Sequence, residues 1–306
     1  MGEKTMDLQS VADILIKKDL ENEALYFVRK KKEGYISYSP EVEPDIFGIL
    51  CEYIKTYIDG FKEHDQVEFN PTGYRDGTIE TCEVEYVGNF EEVIESLDNG
   101  NVEDAEEEAD NFSFYCLSLE DSEGNQIKIF RRVTKFKRLY SKGLIAAFQG
   151  NKLNRIDSKM LGLDGQVDLI EFNGEIAILN HIALERIFRL NEQFVNKAQT
   201  AIDHIRHADK IVNMDLFEED CMNDLRIQKV LTKMLKEEND LEKCFDNFNN
   251  VIETIDLFDL QIEVQTSPRE SIIYEHKNQL MDIIRLARDS YYMSLIKEKP
   301  GIDDKI

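Results

Sequence analysis

The spacing of apolar and polar positions changes near residue 180. Before it, apolar residues mostly occur in short alternating runs typical of strands; after it, they recur every three or four residues, as in helices. At the change, Val167–Phe172 and Glu175–Leu179 are predicted strands. Asn173-Gly174 joins them and suits a type I′ turn, because both residues tolerate positive φ. Asn180 follows at a helix N-cap position, ahead of a predicted long helix that runs to Val212.

The same reasoning predicts the remaining elements. In the first part, helices are expected near Asp7–Leu20, from Pro44 to Gly60 and at Phe90–Leu97, and strands at Ala24–Arg29, Tyr35–Tyr38, Thr78–Val87, Phe112–Leu119, Gln126–Val133, Leu144–Phe148 and Lys152–Ile156. In the second part, helices are expected at Phe217–Leu235, Leu241–Ile255 and from Ser267-Pro268 to about Lys297, with a short strand at Gln261–Val264.

These elements predict an α+β fold. Residues 1–180 form a mixed, mostly antiparallel sheet region, and residues 181–306 form a helical region packed on it. The junction at Asn180 lacks the composition of a linker, so we expect one continuous structural unit. The long apolar stripes of the helical region are expected to form its core, and an excess of apolar face would drive homo-oligomerisation.

Composition narrows the functional classes. The net charge is −25, so the average surface repels nucleic acid and anionic membranes. The five cysteines are scattered without a Cys-x-x-Cys pair, which indicates a reducing, cytoplasmic environment and disfavours a cysteine-based zinc site. The polar N-terminus lacks a signal peptide, and the longest apolar run is too short to span a bilayer. Any membrane attachment is therefore expected through a partner.

Charge is distributed unevenly along the chain. Residues 76–127 contain seventeen acids and no lysine or arginine, whereas residues 128–159 contain ten basic residues and one acid. The second segment, with a net charge of +9, is called the basic block. A basic block in so acidic a chain indicates a site that attracts a polyanion. The alternative is internal pairing with the acidic segment.

Within the basic block, the candidate DNA-binding residues are the cations that a single phosphate backbone could contact together. A strand to about Arg132 followed by an irregular or short helical piece is favoured over one continuous helix. The candidates are Lys128, Arg131, Arg132, Lys135, Lys137, Arg138 and Lys142.

Signals for catalysis are weaker. Gln126-Ile-Lys128, with Glu120 and Asp121 upstream, resembles the metal-binding strand of a PD-(D/E)xK nuclease, but glutamine replaces its usual acid. His204 and His207 share a helix face without identifiable further metal ligands. Asp168, in an apolar strand, is expected to be hydrogen-bonded rather than catalytic. Phosphate-binding glycine loops and a serine-hydrolase elbow are absent from the sequence, so no cofactor or metal is predicted and an enzyme is disfavoured.

Three segments carry a resemblance to a known family. LIAAFQGNKLNRI, DGQVDLIEFNGEIAILNHIALERIF and RDSYYMSLIKEK are similar to the KwaB-like family of the Kiwa anti-phage defence system. The resemblance extends from Ala24 to Lys299. It implies a cytoplasmic defence protein that binds DNA, works with a small multi-span membrane protein and is recruited through it to the inner face of the membrane.

The sequence thus predicts a DNA-binding effector of anti-phage defence. A metal-dependent nuclease and a non-catalytic oligomeric scaffold are the alternatives. Dependence on magnesium separates the nuclease from the other two, and salt-dependent DNA binding separates the effector from the scaffold.

Overall fold

The computed structural model describes residues 5–17, 19–73, 76–100, 105–134, 146–156, 158–237 and 240–303. The chain divides into two compact units, residues 1–69 with 75–190 and residues 70–74 with 191–306. A mixed sheet dominates the first unit and helices dominate the second. The predicted α+β class is therefore confirmed, while a single continuous structural unit stays a prediction.

An eight-stranded sheet organises the first unit. Its strands are β1 (Leu20–Lys30), β2 (Tyr35–Tyr38), β3 (Asp65–Glu68), β4 (Thr78–Glu83), β5 (Phe114–Asp121), β6 (Gln126–Arg132), β9 (Leu169–Phe172) and β10 (Glu175–Ile178). The order is β2-β1-β5-β6-β9-β10-β4-β3, and every pair is antiparallel except β3 with β4. Between β6 and β9 in the chain, β7 (Ala146–Gln149) and β8 (Lys152–Arg155) form a separate hairpin.

Local turn chemistry explains the central hairpin. Asn173 and Gly174 have φ angles of 55° and 80°, the left-handed values that a type I′ turn requires. The turn pairs Phe172 with Glu175 and continues to Leu169 opposite Ile178. The predicted strand–turn–strand is therefore confirmed.

Helices cover this sheet and complete a hydrophobic core. They span Leu8–Ile14, Pro44–Asp59, Phe90–Asp98, Ala105–Glu108 and His181–Ile187, with short 3-10 turns at Val84–Tyr86 and Ala109–Asn111. Ile54 of the helix Pro44–Asp59 is fully buried in the same core as Leu117, Ile129 and Ile170 of the sheet. The helix therefore buries one face against apolar strands while its other face stays in solvent.

The second unit has its own core. Its helices span Leu190–Ala208, Met214–Met222, Leu225–Lys236, Phe248–Leu257 and Leu280–Ala287, with 3-10 turns at Leu241–Lys243 and Lys277–Gln279. Three short strands, β11 (Ile211–Val212), β12 (Glu263–Gln265) and β13 (Ser271–Ile273), form a sheet, and β14 (Tyr291–Met293) pairs with β15 (Pro300–Ile302). Among the described residues, no helix is both long and apolar enough to cross a membrane.

The helix expected at Leu241–Ile255 is a 3-10 turn at Leu241–Lys243 followed by a helix at Phe248–Leu257. Two other predicted helices are each broken into two. The helix expected from Asn180 to Val212 stops after Ile187, because Arg189 adopts a left-handed φ of 52° that an α-helix cannot accommodate. The helix expected at Phe217–Leu235 is interrupted at Asp224, whose side chain caps the second piece through the amide of Arg226. Apolar spacing continues across both breaks, so periodicity alone did not reveal them.

The prediction for the end of the chain was wrong in two places. The helix expected at Ser267-Pro268 is absent there, because Ser271–Ile273 lies between β11 and β12 and buries Ile272. Pairing with two strands outweighs the local capping signal. The final helix ends at Ala287 instead of Lys297, since Asp289 has a left-handed φ of 56° and Tyr291–Met293 turns into a hairpin.

Candidate functional site

A cleft of about 510 Å³ lies in the first unit where three strands of the sheet end together. The register pairs Val28 of β1 with Phe114 of β5, and Phe114 with Arg132 of β6. The end of β1, the start of β5 and the end of β6 therefore meet. The helix His181–Ile187 closes the cleft. The lining residues are Lys30, Ser113, Phe114, Arg131, Arg132, Val133, Thr134, Arg186 and Ile187.

Positive charge dominates this cleft. Four of the nine described lining residues are lysine or arginine, and none of the nine is acidic. We call this site the basic cleft. Two of its cations, Arg131 and Arg132, belong to the predicted DNA-binding set. The other two, Lys30 and Arg186, do not, because they lie more than 40 residues away in the sequence. Only the antiparallel register and the packed helix bring them to the same place.

Arg131 is held by an internal network. Its Nε and Nη2 donate to the two carboxylate oxygens of Asp164 at 2.9 Å each, and its Nη1 donates to Oδ1 of Asp168 at 3.0 Å. Nη2 also donates to Gln166 at 2.7 Å. The side chain is only 13% exposed. Arg131 therefore acts as a positioning residue of the cleft wall, with little capacity left for a ligand.

The ion pair between Arg131 and Asp164 also determines the charge state of Asp164. Partial burial alone would raise the pKa of Asp164, but the hydrogen bond and the positive charge of Arg131 outweigh burial and lower it. The amide of Gln166 and the hydroxyl of Thr134 add further hydrogen bonds to the same carboxylate. Asp164 therefore stays ionised and keeps the segment after it attached to β6.

Asp168 is a completely buried carboxylate at the centre of this network. Besides Arg131, it accepts hydrogen bonds from the amide of Arg132 at 2.8 Å, from the Arg132 Nε at 3.3 Å and from the Asn180 amide group at 2.9 Å. Asn180 simultaneously caps the helix His181–Ile187 through the amide of Ala183. The expected hydrogen-bonded role of Asp168 is confirmed, and the residue ties the helix that carries Arg186 to β6.

Arg132 and Arg186 are the cations available for a ligand. Arg132 uses its Nε on Asp168, while its two Nη groups make no hydrogen bond within the described part of the chain. Arg186 is exposed, and its side chain has no ion pair within the same ranges. Lys30 lies beside them and donates to the Arg186 carbonyl at 2.9 Å. The cleft therefore presents guanidinium donors that can bind an anion directly.

The other predicted DNA-binding residues fall into two groups. Lys128 is farther back on β6 and donates to Gln126 at 2.6 Å and to Glu171 at 3.4 Å, with its side chain 12% exposed. The expected strand to Arg132 is confirmed. Lys135, Lys137, Arg138 and Lys142 lie outside the described residues. Internal pairing does occur in the basic block. The acidic partners of Lys128 and Arg131 lie at residues 164–171, whereas Lys159 pairs with Asp110 of the acidic segment.

Of the candidate catalytic residues, Asp121 has a structural role. Asp121 is buried in the β5–β6 turn, where it accepts hydrogen bonds from Lys17 and from the Asn125 backbone. Gln126 lies opposite Glu120 in the register, and His207 is 3.9 Å from Glu242. Within the residues that the structure describes, no three His, Cys, Asp or Glu side chains come together to hold a metal ion.

Comparison with known protein families shows which family this chain is related to. The sequence profile described as Kiwa protein KwaB-like matches residues 109–297, well over half of the chain. The chain belongs to the KwaB-like family. The match includes β5, β6, the Asp164–Asp168 segment and the helix of Arg186, so most of the basic cleft lies inside the family region. It is shorter than the resemblance from Ala24 to Lys299 and leaves Lys30 outside.

Family membership supports a role in a multi-component anti-phage defence system of the Kiwa type. Neither the curated proteins nor the solved structures contain a match to this KwaB-like chain.

Proposed function

We propose that this KwaB-like chain is a DNA-binding effector of anti-phage defence and that the basic cleft holds the DNA backbone. The observation that carries the proposal is the meeting of four cations, from two strand ends and one helix, without an acidic residue among the described lining residues. Phosphate contacts of this kind supply affinity and orientation but not sequence choice. The protein therefore binds DNA with little sequence preference.

The cations have different proposed roles, either binding phosphate or positioning the residues that do. Arg132 and Arg186 donate to phosphate oxygens, since their guanidinium groups have uncommitted donors within the described part of the chain. Arg131 fixes the wall that orients Arg132. Lys135, Lys137, Arg138 and Lys142 follow β6 in the sequence and complete the proposed set of phosphate-binding cations.

The acidic remainder of the chain does not prevent this binding. Outside the basic block the net charge is −34, but at physiological ionic strength charges more than about 8 Å apart are largely screened. Attraction at the cleft is therefore decided by its nearest charges. Four to six phosphate contacts predict a slope of about −4 to −5 for log affinity against log salt.

The family relationship supports a proposed partner and a proposed location. The proposed partner is a small multi-span membrane protein of the same defence system, which recruits this cytoplasmic protein to the inner face of the membrane. The proposed functional form is a homo-oligomer, supported by the apolar helices of the second unit. The partner and the location rest on the KwaB-like relationship, and all three proposals are independent of the cleft geometry.

The test compares two charge reversals of equal size. Arg186→Glu changes the cleft, whereas Lys62→Glu changes a surface lysine that pairs with Asp59 and is not among the cleft residues. Binding of linear double-stranded DNA is measured by fluorescence anisotropy over a range of salt concentrations. We expect Arg186→Glu to weaken binding by at least tenfold and to reduce the salt slope by about one, while Lys62→Glu stays near wild type.

Two outcomes contradict the proposal. Wild-type protein that does not bind DNA would remove it, and equal weakening by both variants would show that net charge, and not the cleft, determines affinity. A gel assay on the same DNA with and without magnesium addresses the nuclease alternative. Cleavage that requires magnesium and is lost in Lys128→Ala would replace the non-catalytic effector by that alternative.

A further inference from the structure

The last hairpin of the second unit exposes an unusual amount of apolar surface. β14 and β15 are joined by residues 294–299, and this hairpin is called the C-terminal hairpin. Of the fifteen large hydrophobic side chains exposed among the described residues, five lie on it: Tyr292, Met293, Leu295, Ile296 and Ile302. Leu295 and Ile296 are 99% and 95% exposed. Single exposed apolar residues are common, but five on one short hairpin are not.

Hydrogen bonds hold this tip in its protruding form. The amide of Ser294 donates to the Lys299 carbonyl at 2.9 Å, and the amide of Glu298 donates to the Ser294 carbonyl at 2.8 Å. The amide of Lys299 donates to the Ser294 hydroxyl at 3.1 Å. The loop is thus closed on itself at both ends, and Leu295 and Ile296 extend from its turn. A hydrogen-bonded loop therefore presents both side chains to solvent.

The polar neighbours of the tip include two lysines, a glutamate and a tyrosine. Lys297 and Lys299 are exposed after the two aliphatic residues, with the exposed Glu298 between them, so residues 294–299 carry a net charge of +1. Tyr292 is half exposed, and its ring lies over Gly301, where an added Cβ would be 2.6 Å from the ring. An aliphatic tip, flanking lysines and an aromatic ring at its base are the residue types that anchor proteins at a membrane surface.

We propose that the C-terminal hairpin inserts its tip into the headgroup region of an anionic lipid bilayer. Leu295 and Ile296 enter the acyl boundary, and Lys297 and Lys299 contact the anionic headgroups. A protein partner fits this tip less well, because a specific interface buries about 800 Å² on each side and a protruding six-residue loop offers only a fraction of that area. A lipid bilayer can accept the tip without a preformed complementary pocket.

The interaction is weak and reversible. Two aliphatic side chains and two lysines supply far less than a membrane-spanning helix, and stable anchoring requires a second attachment. Attraction of the lysines falls off within the Debye length, about 8 Å at physiological salt. Repulsion from acidic residues farther than this from the lipid is likewise largely screened.

Flotation with vesicles tests the proposal on the full chain. Phosphatidylcholine vesicles with and without phosphatidylglycerol are compared for the wild type and for Leu295→Ser combined with Ile296→Ser. We expect binding to the anionic vesicles and at least tenfold weaker binding of the double variant. The control, Leu257→Ser, removes a side chain that is 53% exposed on a helix of the same unit and should bind as the wild type does. Lys297→Gln with Lys299→Gln should weaken anionic binding by about fivefold per lysine.

Fluorescence provides an independent measurement of insertion. The chain contains no tryptophan, so Ile296→Trp introduces a single reporter at the tip. Its emission should shift to shorter wavelength on addition of anionic vesicles, because the indole leaves water. Leu257→Trp is the matched reporter away from the tip and should show no shift.

Three results overturn the proposal. The first is absence of vesicle binding by the wild type, and the second is equal binding by the Leu295→Ser, Ile296→Ser variant. The third is an oligomer, detected by light scattering, that dissociates in that variant while vesicles remain unbound, since the tip would then be a contact between copies. DNA binding is measured separately and does not depend on any of these outcomes.

Discussion

Two adjacent arginines at the end of β6 perform different tasks although they are chemically identical. Arg131 places three of its nitrogen atoms on Asp164 and Asp168 and is largely buried. Arg132 uses one nitrogen on Asp168 and is 30% exposed. Successive strand residues point to opposite faces, so one arginine packs toward the Asp164 segment while the other is left for the cleft.

Truncation should separate these tasks. We expect Arg131→Ala to lower the free energy of unfolding by about 3 kcal/mol, because it removes a main partner of a buried carboxylate. Arg132→Ala should cost no more than about 1 kcal/mol but should weaken DNA binding several-fold. Urea denaturation and anisotropy on both variants give the two values. A larger loss of stability in Arg132→Ala than in Arg131→Ala would contradict the assignment of Arg131 to stability. A larger loss of DNA affinity in Arg131→Ala would contradict the assignment of Arg132 to DNA binding.

Asp164 should contribute to acid sensitivity. Its pKa in the folded protein is lowered despite partial burial, because Arg131 hydrogen-bonds to it. Its stabilisation is therefore present above the unfolded-state pKa of about 3.9 and is lost as the pH falls through the lower folded value. Asp164→Asn should be less stable than the wild type at neutral pH, and the difference should shrink from about pH 5 downward. The midpoints of urea unfolding at several pH values measure the stability difference between the wild type and Asp164→Asn. A difference that does not change with pH would show that ionisation of Asp164 does not stabilise the fold.

At the scale of elements, local signals predicted strands better than helix ends. The hairpins β5–β6, β7–β8 and β9–β10 were all predicted, because alternation and turn residues are encoded within about ten neighbouring positions. The breaks at Arg189 and Asp224 were missed, since the apolar stripe resumes in phase after each one. The strand Ser271–Ile273 was missed because its partners lie elsewhere in the sequence.

The candidate site could be predicted only in part. The basic block pointed to Arg131 and Arg132, but sequence alone could not distinguish the buried arginine from the available one. Lys30 belongs to a basic turn that was visible in the sequence, whereas Arg186 carries no local signal. The register of β1, β5 and β6 brings these residues together, and register depends on contacts between distant segments.

Gly165 connects the site to the helix Pro44–Asp59. A Cβ at Gly165 would lie 2.3 Å from the Tyr53 Cβ and 3.0 Å from its carbonyl carbon, so the segment that carries Asp164 would have to move away from the helix. We expect Gly165→Ala to destabilise the protein by about 1–3 kcal/mol. Gly48→Ala on the exposed face of the same helix has open space and should stabilise by about 0.5–1 kcal/mol. Thermal unfolding of both variants tests the contrast, and a neutral Gly165→Ala would contradict the close packing.

At the scale of the whole molecule, the charge of −25 acts on folding and on DNA binding in opposite ways. Salt screens the repulsion among the acidic residues, so the unfolding temperature should rise by a few degrees between low and physiological salt. Salt also screens the attraction of phosphates to the basic cleft, so DNA affinity should fall over the same range. Calorimetry measures the unfolding temperature and anisotropy measures the DNA affinity in identical buffers. A rise or a fall of both quantities together with increasing salt would contradict this account.

The oligomeric state is a further whole-molecule prediction. The apolar helices of the second unit predict a homo-oligomer, and light scattering at micromolar concentration should give a mass above that of one chain. A mass equal to one chain across the concentration range would contradict it.

The position of the β9–β10 hairpin determines when the sheet can be completed on the ribosome. It lies between β6 and β4, so residues 169–178 connect the β2-β1-β5-β6 half to the β4–β3 half. The two halves are synthesised first, and each exposes an unpaired edge to solvent until the hairpin emerges. A nascent chain stalled before residue 169 should therefore recruit chaperones, and release of the hairpin from the exit tunnel should end that recruitment.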